Sequence, residues 1–514
     1  MAATPHYDWI AYHANTRGDH TAMVDLATGR SFTYAQFHDR VGRLASGLRS
    51  AYGVKRGDRV GVLAHNSSDL FEIQFACARL GAVFVPMNWR LTVPELTYIV
   101  TDCSPVVLMH DAEFEDAALK LAAACGVPHL HPRVNAYERL LASAETDVTP
   151  ESLTHDDTAA LLYTSGTTGH PKGAIITHGM RFWQTVNLTG PERLTADSVC
   201  LVTLPLFHVG GLDVYANPLF HFGGKVLVMR GFDPADTLRL FTDPAAGLTH
   251  YIGAPAHYLF MAQLPEFESA KFSRNLLACI AAAPVPLPQL RQWEDRGLPL
   301  LQGYGMTETC GVITMMEPED RVRKAGSAGK ACLHVTLRLV RVDGTEAAPG
   351  EMGEVWVQGP SLTPGYWKND AANQSAFIDG WFRTGDAAMI DDEGFYFIVD
   401  RWKDMYISGG ENVYPAEVEE VLFKLDGIAE VAIIGVPDER WGEVGRAIIS
   451  ITPGYNLTEA DVMRHCDGKL ARYKQPRSVR FVDALPRNAT GKVHKPTLRQ
   501  LHGEADEPSS INVR

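Results

Sequence analysis

The chain has 514 residues, of which 46% are hydrophobic and 21% are charged, a composition close to that of an average globular protein. This composition excludes a disordered chain, a collagen and a disulfide-rich miniprotein, and the length predicts more than one domain. The formal net charge of −14 argues against a general binder of nucleic acid or of anionic membranes, because both favour a positive protein surface.

Eight cysteines are scattered along the chain, and no two of them form a C-x-x-C pair. This spacing is typical of neither a zinc site nor a disulfide framework, and it favours a reducing cytosol. The N-terminus lacks the basic start and apolar core of a signal peptide, and no apolar run reaches the roughly 18 residues of a membrane helix. We therefore expect a cytoplasmic protein without an integral membrane segment.

Helical and strand-like patterns alternate in the first part of the chain. Apolar spacing predicts helices over 32–48 and 70–80, and short apolar runs predict strands over 59–64, 81–86, 202–205, 225–229 and 277–283. Such alternation is typical of parallel sheets that are covered by helices.

After about residue 330 the pattern changes to short strands separated by glycines and acidic turns. Strands predicted over 335–342, 354–358 and 395–399 indicate a small antiparallel β unit, and the charged residues 400–404 are predicted to be an exposed connector. The rest predicts a compact domain with the order helix, strand, strand, helix, strand over 415–425, 428–436, 445–452, 458–470 and 478–482. The expected fold class is α/β.

The segment Tyr163–Gly173 is the strongest local signal, because an apolar strand runs into a loop of hydroxyls, glycines and one lysine. Glycines let backbone N–H groups surround an anion, and the lysine adds positive charge, so a triphosphate is the favoured ligand. The segment is not a Walker A loop, since Lys172 is followed by glycine. A flexible surface loop is the alternative interpretation.

The segment Gln302–Thr309 combines two glycines with polar groups suited to a nucleotide. The glycines permit close approach to a flat ligand, Tyr304 is suited to stack on a base, and Glu308 is suited to hold Mg²⁺ through oxygen. Taken alone, the segment is more typical of a tight turn with an ordinary surface glutamate.

Two later segments carry one suggestive residue each. Asp386, at the end of Gly380–Asp386, is suited to accept hydrogen bonds from ribose hydroxyls, although an aspartate after a glycine more commonly caps a turn. Lys492, at the end of Pro486–Lys492, follows a glycine-containing loop, and its alternative is a solvated lysine near the C-terminus.

In this order, the segments resemble those of the adenylate-forming (AMP-binding) superfamily, which includes acyl-CoA synthetases, firefly-type luciferases and the adenylation domains of peptide synthetases. The resemblance covers the chain from about Phe32 to Leu498, and its markers are Tyr163–Gly173, Gly303–Thr309, Gly380–Asp386, Asp400–Asn412 and Pro486–Lys492. It implies an acid–thiol ligase that activates a fatty or aryl acid as acyl-AMP with release of pyrophosphate. Formation of the acyl-CoA thioester and release of AMP then follow.

The resemblance assigns roles at the ATP site. The four catalytic candidates are Lys492, Thr307, Glu308 and His208. Lys492 matches the catalytic lysine that bridges the carboxylate and phosphate oxygens, and Thr307 matches the residue that touches the α-phosphate. Thr164 and Glu308 match the residues near Mg²⁺. The remaining matches to ATP or AMP contacts are Ser165, Gly166, Thr167, Thr168, Gly169 and Lys172 around the phosphates, Asp386 and Arg401 at the ribose, and Ala282, Ala283, Pro284, Gly303, Tyr304 and Gly305 around the base.

The resemblance also implies a domain movement. Lys403 occupies the family's hinge position, where many relatives have aspartate and lysine is a known variant. The small α+β C-terminal domain is expected to swing about this hinge, presenting Lys492 for adenylation and a glycine-rich loop to CoA. The residues expected to meet CoA are Ser408, Gly409 and Gly410. The expected division is a large N-terminal AMP-binding domain of αβα-layered sheets plus a small β unit over 1–400, a hinge over 401–404 and a mobile C-terminal domain over 405–514.

His208 is the candidate gate of the acyl pocket, because the segment Leu206–Gly211 matches the family's acyl-pocket segment. A histidine that merely ends a helix is the alternative. The other residues of the expected pocket are Val209, Gly210, Gly211, Ala281, Gly305 and Met306. Most of them are small, which leaves volume for an extended chain or an aromatic ring, and the lack of an aspartate beside His208 disfavours an α-amino acid.

Several alternatives stay open. CoA is the expected acceptor, with a carrier protein or oxygen as alternatives that a requirement for CoA in AMP production would separate. A nucleotide-binding regulator on the same scaffold would be expected to have lost Lys492 or Asp386, and both are present. The expected ligands are therefore a small carboxylic acid, ATP, Mg²⁺ and CoA, without nucleic acid. The identity of the acid, the pathway and a homodimer are left open.

Overall fold

The structure is a computed structural model, and the residues that it describes are 3–133, 136–144, 149–164, 171–281, 285–401, 404–408, 411–438, 441–487 and 492–504. Its α-helices are α1 (Trp9–Arg17), α2 (Tyr34–Tyr52), α3 (Ser68–Leu80), α4 (Val93–Cys103), α5 (Glu115–Cys125), α6 (Ala136–Ser143), α7 (His178–Glu192), α8 (Val209–Leu212), α9 (Ala216–Phe222), α10 (Pro234–Thr242), α11 (Pro255–Ala262), α12 (Leu287–Asp295), α13 (Asp370–Ala376), α14 (Pro415–Leu422), α15 (Glu459–Cys466) and α16 (Lys495–His502).

The first fifteen strands form the two large sheets. These strands are β1 (Thr21–Asp25), β2 (Arg30–Thr33), β3 (Arg59–Leu63), β4 (Val83–Pro86), β5 (Val107–His110), β6 (His129–Pro132), β7 (Thr158–Thr164), β8 (Lys172–Thr177), β9 (Val199–Val202), β10 (Lys225–Val228), β11 (His250–Gly253), β12 (Leu277–Ile280), β13 (Leu301–Met306), β14 (Gly311–Met315) and β15 (Lys330–Ala331). The later strands are β16 (Thr336–Val340), β17 (Met352–Gln358), β18 (Phe377–Ile378), β19 (Trp381–Ile390), β20 (Tyr396–Arg401), β21 (Tyr406–Ser408), β22 (Glu411–Val413), β23 (Ile428–Asp438), β24 (Gly442–Ile451) and β25 (Ser478–Phe481).

The two large sheets are mainly parallel. The six-stranded sheet has the order β6-β5-β3-β4-β7-β8, and only its last pair is antiparallel. The nine-stranded sheet has the order β15-β14-β13-β12-β11-β9-β10-β1-β2, and its strands from β13 to β1 run parallel. The alternation of helices and strands in the sequence thus predicts the parallel centre of each sheet correctly.

Local signals set the helix ends. In α2, Thr33 accepts a hydrogen bond from the backbone N–H of Gln36, whose side chain bonds back to the N–H of Thr33, and Gly53 ends the helix at φ 65°. This capping box and left-handed terminal glycine satisfy backbone groups that a helix leaves unpaired. The buried residues of α2 recur with helical spacing, at Phe37, Val41, Leu44 and Leu48.

The chain divides into two compact units, of which the first comprises residues 1–282, 289–336 and 357–382 and the second residues 283–288, 337–356 and 383–514. In the second unit β23 exposes alternate residues to two cores. Ile433 packs with Val418 and Val462 of α14 and α15, while Ile434 packs with Leu498 of α16. This period of two is that of a strand covered on both faces.

Most predicted elements are confirmed within a few residues, and the α/β fold class is confirmed. The strand predicted over 202–205 was wrong in position, since β9 ends at Val202. The exposed connector predicted over 400–404 was also wrong in part, because β20 continues through Arg401 and Asp404 is buried, with an ion pair to Arg499 at 2.8 Å. Among the described residues we find no helix with the length and apolar character needed to span a bilayer.

Candidate active site

The parallel strands of the nine-stranded sheet bring several predicted site segments to one edge. The acyl segment follows β9, Ala281 follows β12, and Thr307 follows β13, and these three strands run in the same direction. Ligands of open α/β sheets bind outside the carboxyl ends of the strands. This edge therefore collects the acyl candidates and part of the nucleotide candidates.

The predicted phosphate loop joins β7 to β8. Thr164 and Lys172 form the last pair of this antiparallel hairpin, and the Thr164 hydroxyl lies 3.4 Å from the Lys172 carbonyl oxygen. Below them, a Cβ atom on Gly173 would lie 3.0 Å from the Tyr163 ring. Tyr163 donates a hydrogen bond to Asp102 of α4 at 2.5 Å, and burial raises the pKa of this tyrosine. The base of the loop is thus fixed to a helix.

Eleven of the predicted site residues lie outside the described residues. They are Ser165, Gly166, Thr167, Thr168 and Gly169 of the phosphate loop, Ala282, Ala283 and Pro284 at the base, Lys403 at the hinge, and Gly409 and Gly410 at the CoA loop. Their assignments remain those implied by the resemblance.

Thr307 and Glu308 lie in a short 3₁₀ turn between β13 and β14, and both are buried, at 4% and 5% exposure. The Glu308 carboxylate oxygen Oε1 accepts a hydrogen bond from the hydroxyl of Tyr366 at 2.7 Å. The Lys172 ammonium lies 5.1 Å from the centre of the same tyrosine ring. Tyr366 thereby connects Glu308 to Lys172. The sequence analysis named Glu308 and Lys172 but missed Tyr366.

Gly303, Tyr304, Gly305 and Met306 belong to β13, whose antiparallel partner is β14. A Cβ atom on Gly305 would overlap the backbone of Gly311, whereas one on Gly303 would meet the flexible end of Met315 at 3.2 Å. Pairing of the two strands therefore accounts for Gly305, a reason different from the close ligand approach that the sequence suggested.

The acyl segment is held by Asn66, which follows β3. The Asn66 amide donates to the Leu204 carbonyl at 2.9 Å and accepts from the Leu206 N–H at 2.8 Å. His208 then caps α8, where its Nδ1 accepts the N–H of Gly210 at 3.2 Å. An unprotonated Nδ1 leaves the ring proton of neutral His208 on Nε2. The helix-end alternative thus describes the backbone role of His208 correctly.

The remaining acyl candidates have different surroundings. Val209, Gly210 and Gly211 are buried in α8, while Ala281 and Met306 are partly buried at the ends of β12 and β13. A Cβ atom on Gly211 would collide with the backbone carbonyls of Pro205 and Leu204. A side chain at Gly211 would therefore strain its own loop, so a larger residue at this position would not report the free volume of the acyl pocket.

A buried ion pair lies at the other end of α8. Asp213 accepts hydrogen bonds from Nε of Arg181 at 2.8 Å and from the Asn217 amide at 2.6 Å, and Gln74 of α3 donates to Asn217 at 2.7 Å. Burial raises the pKa of Asp213 despite the facing arginine. This polar chain anchors the helix that His208 caps.

Side chains of β11 and of the segments that follow β9, β10 and β11 contact one another at the same sheet edge. Tyr251 bonds to Thr203 at 3.0 Å and to Nδ1 of His257 at 2.9 Å, and the Phe232 ring stacks on His257 at 3.8 Å between ring centres. Burial lowers the pKa of His257 to about 4, so this ring is neutral at physiological pH. The sequence analysis missed this group, because no motif marks residues that only the sheet brings together.

The second unit holds the remaining candidates. Asp386 is buried in β19 and lies opposite Arg401 of β20 in the antiparallel ladder, so the structure places the two predicted ribose residues on neighbouring strands. Ser408 is buried in β21. Lys492 is partly buried. It directly precedes Val493, which forms a β-bridge with Arg487, and it lies three residues before the start of α16.

The donor groups fit a nucleotide-bound Mg²⁺ better than a metal site made by protein alone. Among the described residues, no cluster of three or more His, Cys, Asp or Glu side chains is suited to hold a metal ion. Mg²⁺ is usually bound by one or two carboxylates together with substrate phosphates. Glu308, with a hydroxyl such as that of Thr164, is a donor set of this type.

Comparison with known proteins identifies the chain. The AMP-binding enzyme family matches residues 10–367, and the AMP-binding enzyme C-terminal domain matches residues 417–492. A feruloyl-CoA synthase of Amycolatopsis sp is 41% identical, over 92% of this chain and 95% of that protein. An indoleacetate–CoA ligase of Aromatoleum aromaticum is 40% identical, over 96% of this chain and 97% of that protein.

A solved structure of another coenzyme A synthetase has the same fold as this chain. The o-succinylbenzoate coenzyme A synthetase of Bacillus subtilis, in complex with ATP and magnesium ion, superimposes with a TM-score of 0.87 at 30% identity, over 97% of this chain and 100% of that one. Ligases of this kind convert a carboxylic acid and ATP into acyl-AMP and pyrophosphate, and then form the acyl-CoA thioester and AMP. The chain belongs to the AMP-binding enzyme family and is an ATP-dependent acyl-CoA ligase.

Proposed function

We propose that this ligase activates an aryl acid, in which a short chain joins an aromatic ring to the carboxyl group. The observation that carries the proposal is the 40–41% identity, over more than nine-tenths of the chain, to two relatives whose names denote aromatic acids. The aromatic rings of Phe232 and His257 at the sheet edge support it, because aromatic rings pair favourably in offset or edge contacts. A fatty acid is the alternative.

We assign the adenylation chemistry to five residues. Joining a carboxylate to a phosphate brings two anions together, so positive charge is needed where their repulsion develops. Lys492 supplies it at the reacting oxygens and Lys172 at the outer phosphates, while Thr307 contacts the α-phosphate. Thr164 and Glu308 hold Mg²⁺, which neutralises phosphate charge when bound. The short link from Glu308 through Tyr366 to Lys172 supports this assignment.

The nucleoside and acyl contacts complete the proposed site. Asp386 and Arg401 bind the ribose, which their opposite positions on β19 and β20 support. Tyr304 lies against the base with Gly303 and Gly305, and His208 gates the acyl pocket. Its position as the N-cap of the anchored helix α8 supports that role. The other pocket residues proposed are Val209, Gly210, Gly211, Ala281 and Met306.

The hinge over 401–404, with Lys403, and the CoA contacts Ser408, Gly409 and Gly410 are also proposals. Residues 401–404 lie between the two stretches that match the family, 10–367 and 417–492, which supports a domain boundary there. The cytoplasm stays our expected location, and a homodimer stays open. Cell fractionation and sedimentation of the purified chain test these two points.

A panel of acids tests the proposed substrate class. We would measure kcat/KM for AMP release with ring-bearing propenoic, acetic and benzoic acids and with fatty acids of six to sixteen carbons. We expect at least one ring-bearing acid to exceed every fatty acid by about tenfold or more, since one or two well-packed groups contribute about 1–3 kcal/mol of discrimination. A preference for fatty acids would overturn the proposal, and AMP release without CoA would indicate another acceptor.

A further inference from the structure

Tyr366 lies between two groups of opposite charge in the proposed nucleotide site. Its hydroxyl donates to Oε1 of Glu308 at 2.7 Å, and its ring faces the Lys172 ammonium, 5.1 Å from the ring centre. Tyr366 is 7% exposed and Glu308 5% exposed. In such a buried setting, a hydrogen bond to a carboxylate and a cation over a ring face both strengthen, because water competes poorly.

The backbone around Tyr366 is fixed to the strand that carries Lys172. Tyr366 forms an antiparallel bridge with Ala174 of β8, and the N–H of Trp367 donates to the Gly173 carbonyl at 2.8 Å. The ring of Tyr366 is therefore held beside the last residues of the hairpin whose tip is the phosphate loop.

The same segment is fixed to the turn that carries Glu308. The N–H of Thr363 donates to the carbonyl oxygen of Glu308 at 2.7 Å, and the Thr363 hydroxyl donates to the Ile175 carbonyl at 2.7 Å. Backbone hydrogen bonds thus connect this segment both to β8 and to the Glu308 turn. Tyr366 adds side-chain contacts in both directions.

These contacts leave one oxygen of Glu308 outside the tyrosine hydrogen bond. A carboxylate that ligates a metal is commonly hydrogen-bonded through its other oxygen, which fixes its orientation. A cation held over an aromatic face is likewise restrained without losing its charge. A single tyrosine here orients both an oxygen donor and an ammonium group.

We propose that Tyr366 is a positioning residue for adenylation, which sets the Glu308 carboxylate for nucleotide-bound Mg²⁺ and the Lys172 ammonium for the phosphates. The proposal rests on the roles that we propose for Glu308 and Lys172. It separates the two functions of the side chain: the hydroxyl serves the carboxylate, and the ring serves the ammonium.

Calorimetric titration with ATP, with and without Mg²⁺ and without any acid, tests the proposal. The quantity is the factor by which Mg²⁺ strengthens ATP binding. We expect Tyr366→Phe to reduce this factor about tenfold, because losing a group that orients a metal ligand typically costs about 10–100-fold in metal affinity. Binding of ATP without Mg²⁺ should stay unchanged in this variant, since the ring remains, and should weaken in Tyr366→Leu.

Tyr137→Phe is the matched control. It removes the same kind of bond, from a buried tyrosine hydroxyl to the buried Glu72 at 2.8 Å, but between α6 and α3. We expect both ATP affinities to stay as in the wild type. A loss in Tyr137→Phe equal to that in Tyr366→Phe would overturn the proposal, because the effect would then follow from packing.

A further variant, Glu308→Gln, keeps the outcomes separate. If Glu308→Gln leaves the Mg²⁺ factor unchanged, the proposed metal role of Glu308 fails. If Glu308→Gln lowers the factor and a folded Tyr366→Phe does not, only the positioning role of Tyr366 fails.

Discussion

Two glycines of β13 show how closely neighbouring atoms limit the choice of residue. A Cβ atom on Gly305 would overlap the Gly311 carbonyl and lie 2.6 Å from the Val312 Cα, so only backbone could yield. A Cβ atom on Gly303 would meet Sδ and Cε of Met315 at 3.2 Å, the mobile end of a flexible side chain. The same residue type is therefore required at one position and replaceable at the other.

We expect Gly305→Ala to lower the free energy of unfolding by about 1–3 kcal/mol or more, the usual cost of overpacking, and to weaken ATP binding because Thr307 and Glu308 follow directly. Gly303→Ala should cost less than about 1 kcal/mol. Urea unfolding and ATP titration of both variants check this. Equal losses would show that strand pairing does not distinguish the two glycines.

For single residues, the sequence predicts which positions belong to the site better than it predicts the contacts that these residues make. Gln302–Thr309 is recognisable as a motif, and Thr307 and Glu308 do lie in one turn. The reason for Gly305 depends on Gly311 in the next strand, and the partner of Glu308 is Tyr366, 58 residues later. Such contacts depend on chain pairing, which local spacing does not record.

Among the secondary-structure elements, α8 links the acyl site to the interior. It is only one turn long, from Val209 to Leu212, so its own hydrogen bonds give it little stability. His208 caps its start, and Asp213 at its end is buried against Arg181. The orientation of His208 therefore depends on an ion pair at the opposite end of the turn.

Asp213→Asn should destabilise the protein by about 3–5 kcal/mol, because it leaves Arg181 charged and unpaired in the interior. We also expect the KM for the acid to rise about tenfold while the KM for ATP changes less than about twofold, since the ATP candidates lie on other elements. The double variant Arg181→Met, Asp213→Asn should recover part of the stability. Proportional changes in both KM values would contradict a specific link between this pair and the acyl site.

Strand and helix positions follow from local sequence more closely than pairing does. β3, β4 and β10 lie within two residues of their predicted bounds, because apolar runs between turns identify buried strands. The antiparallel hairpin β7–β8 at the sheet edge was not predicted. A periodicity of two marks a strand but does not reveal its neighbour.

For the whole molecule, the candidates are distributed over two units. Lys172, His208 and Glu308 belong to the first unit, and Asp386 and Lys492 belong to the second. The sequence analysis expects Lys492 in a C-terminal domain over 405–514 and Asp386 in the domain over 1–400. It does not predict that the second unit also contains residues 337–356, because that grouping arises from contacts between distant parts of the chain.

Substitution of Lys492 separates the two half-reactions that this arrangement is proposed to serve. In Lys492→Ala we expect acyl-AMP formation, measured as pyrophosphate release, to fall about 10²–10³-fold, the typical cost of losing one group that stabilises transition-state charge. Thioester formation from supplied acyl-AMP should stay close to the wild-type rate, because Lys492 is proposed to act only before the domain movement. Lys424→Ala is the control, since Lys424 is a half-exposed lysine of the same unit, paired with Glu420 at 3.0 Å, and should leave both rates unchanged. An equal fall in the rates of both half-reactions in Lys492→Ala would mean that the lysine acts in a single conformation throughout. That result would contradict the proposed domain movement about the hinge at 401–404.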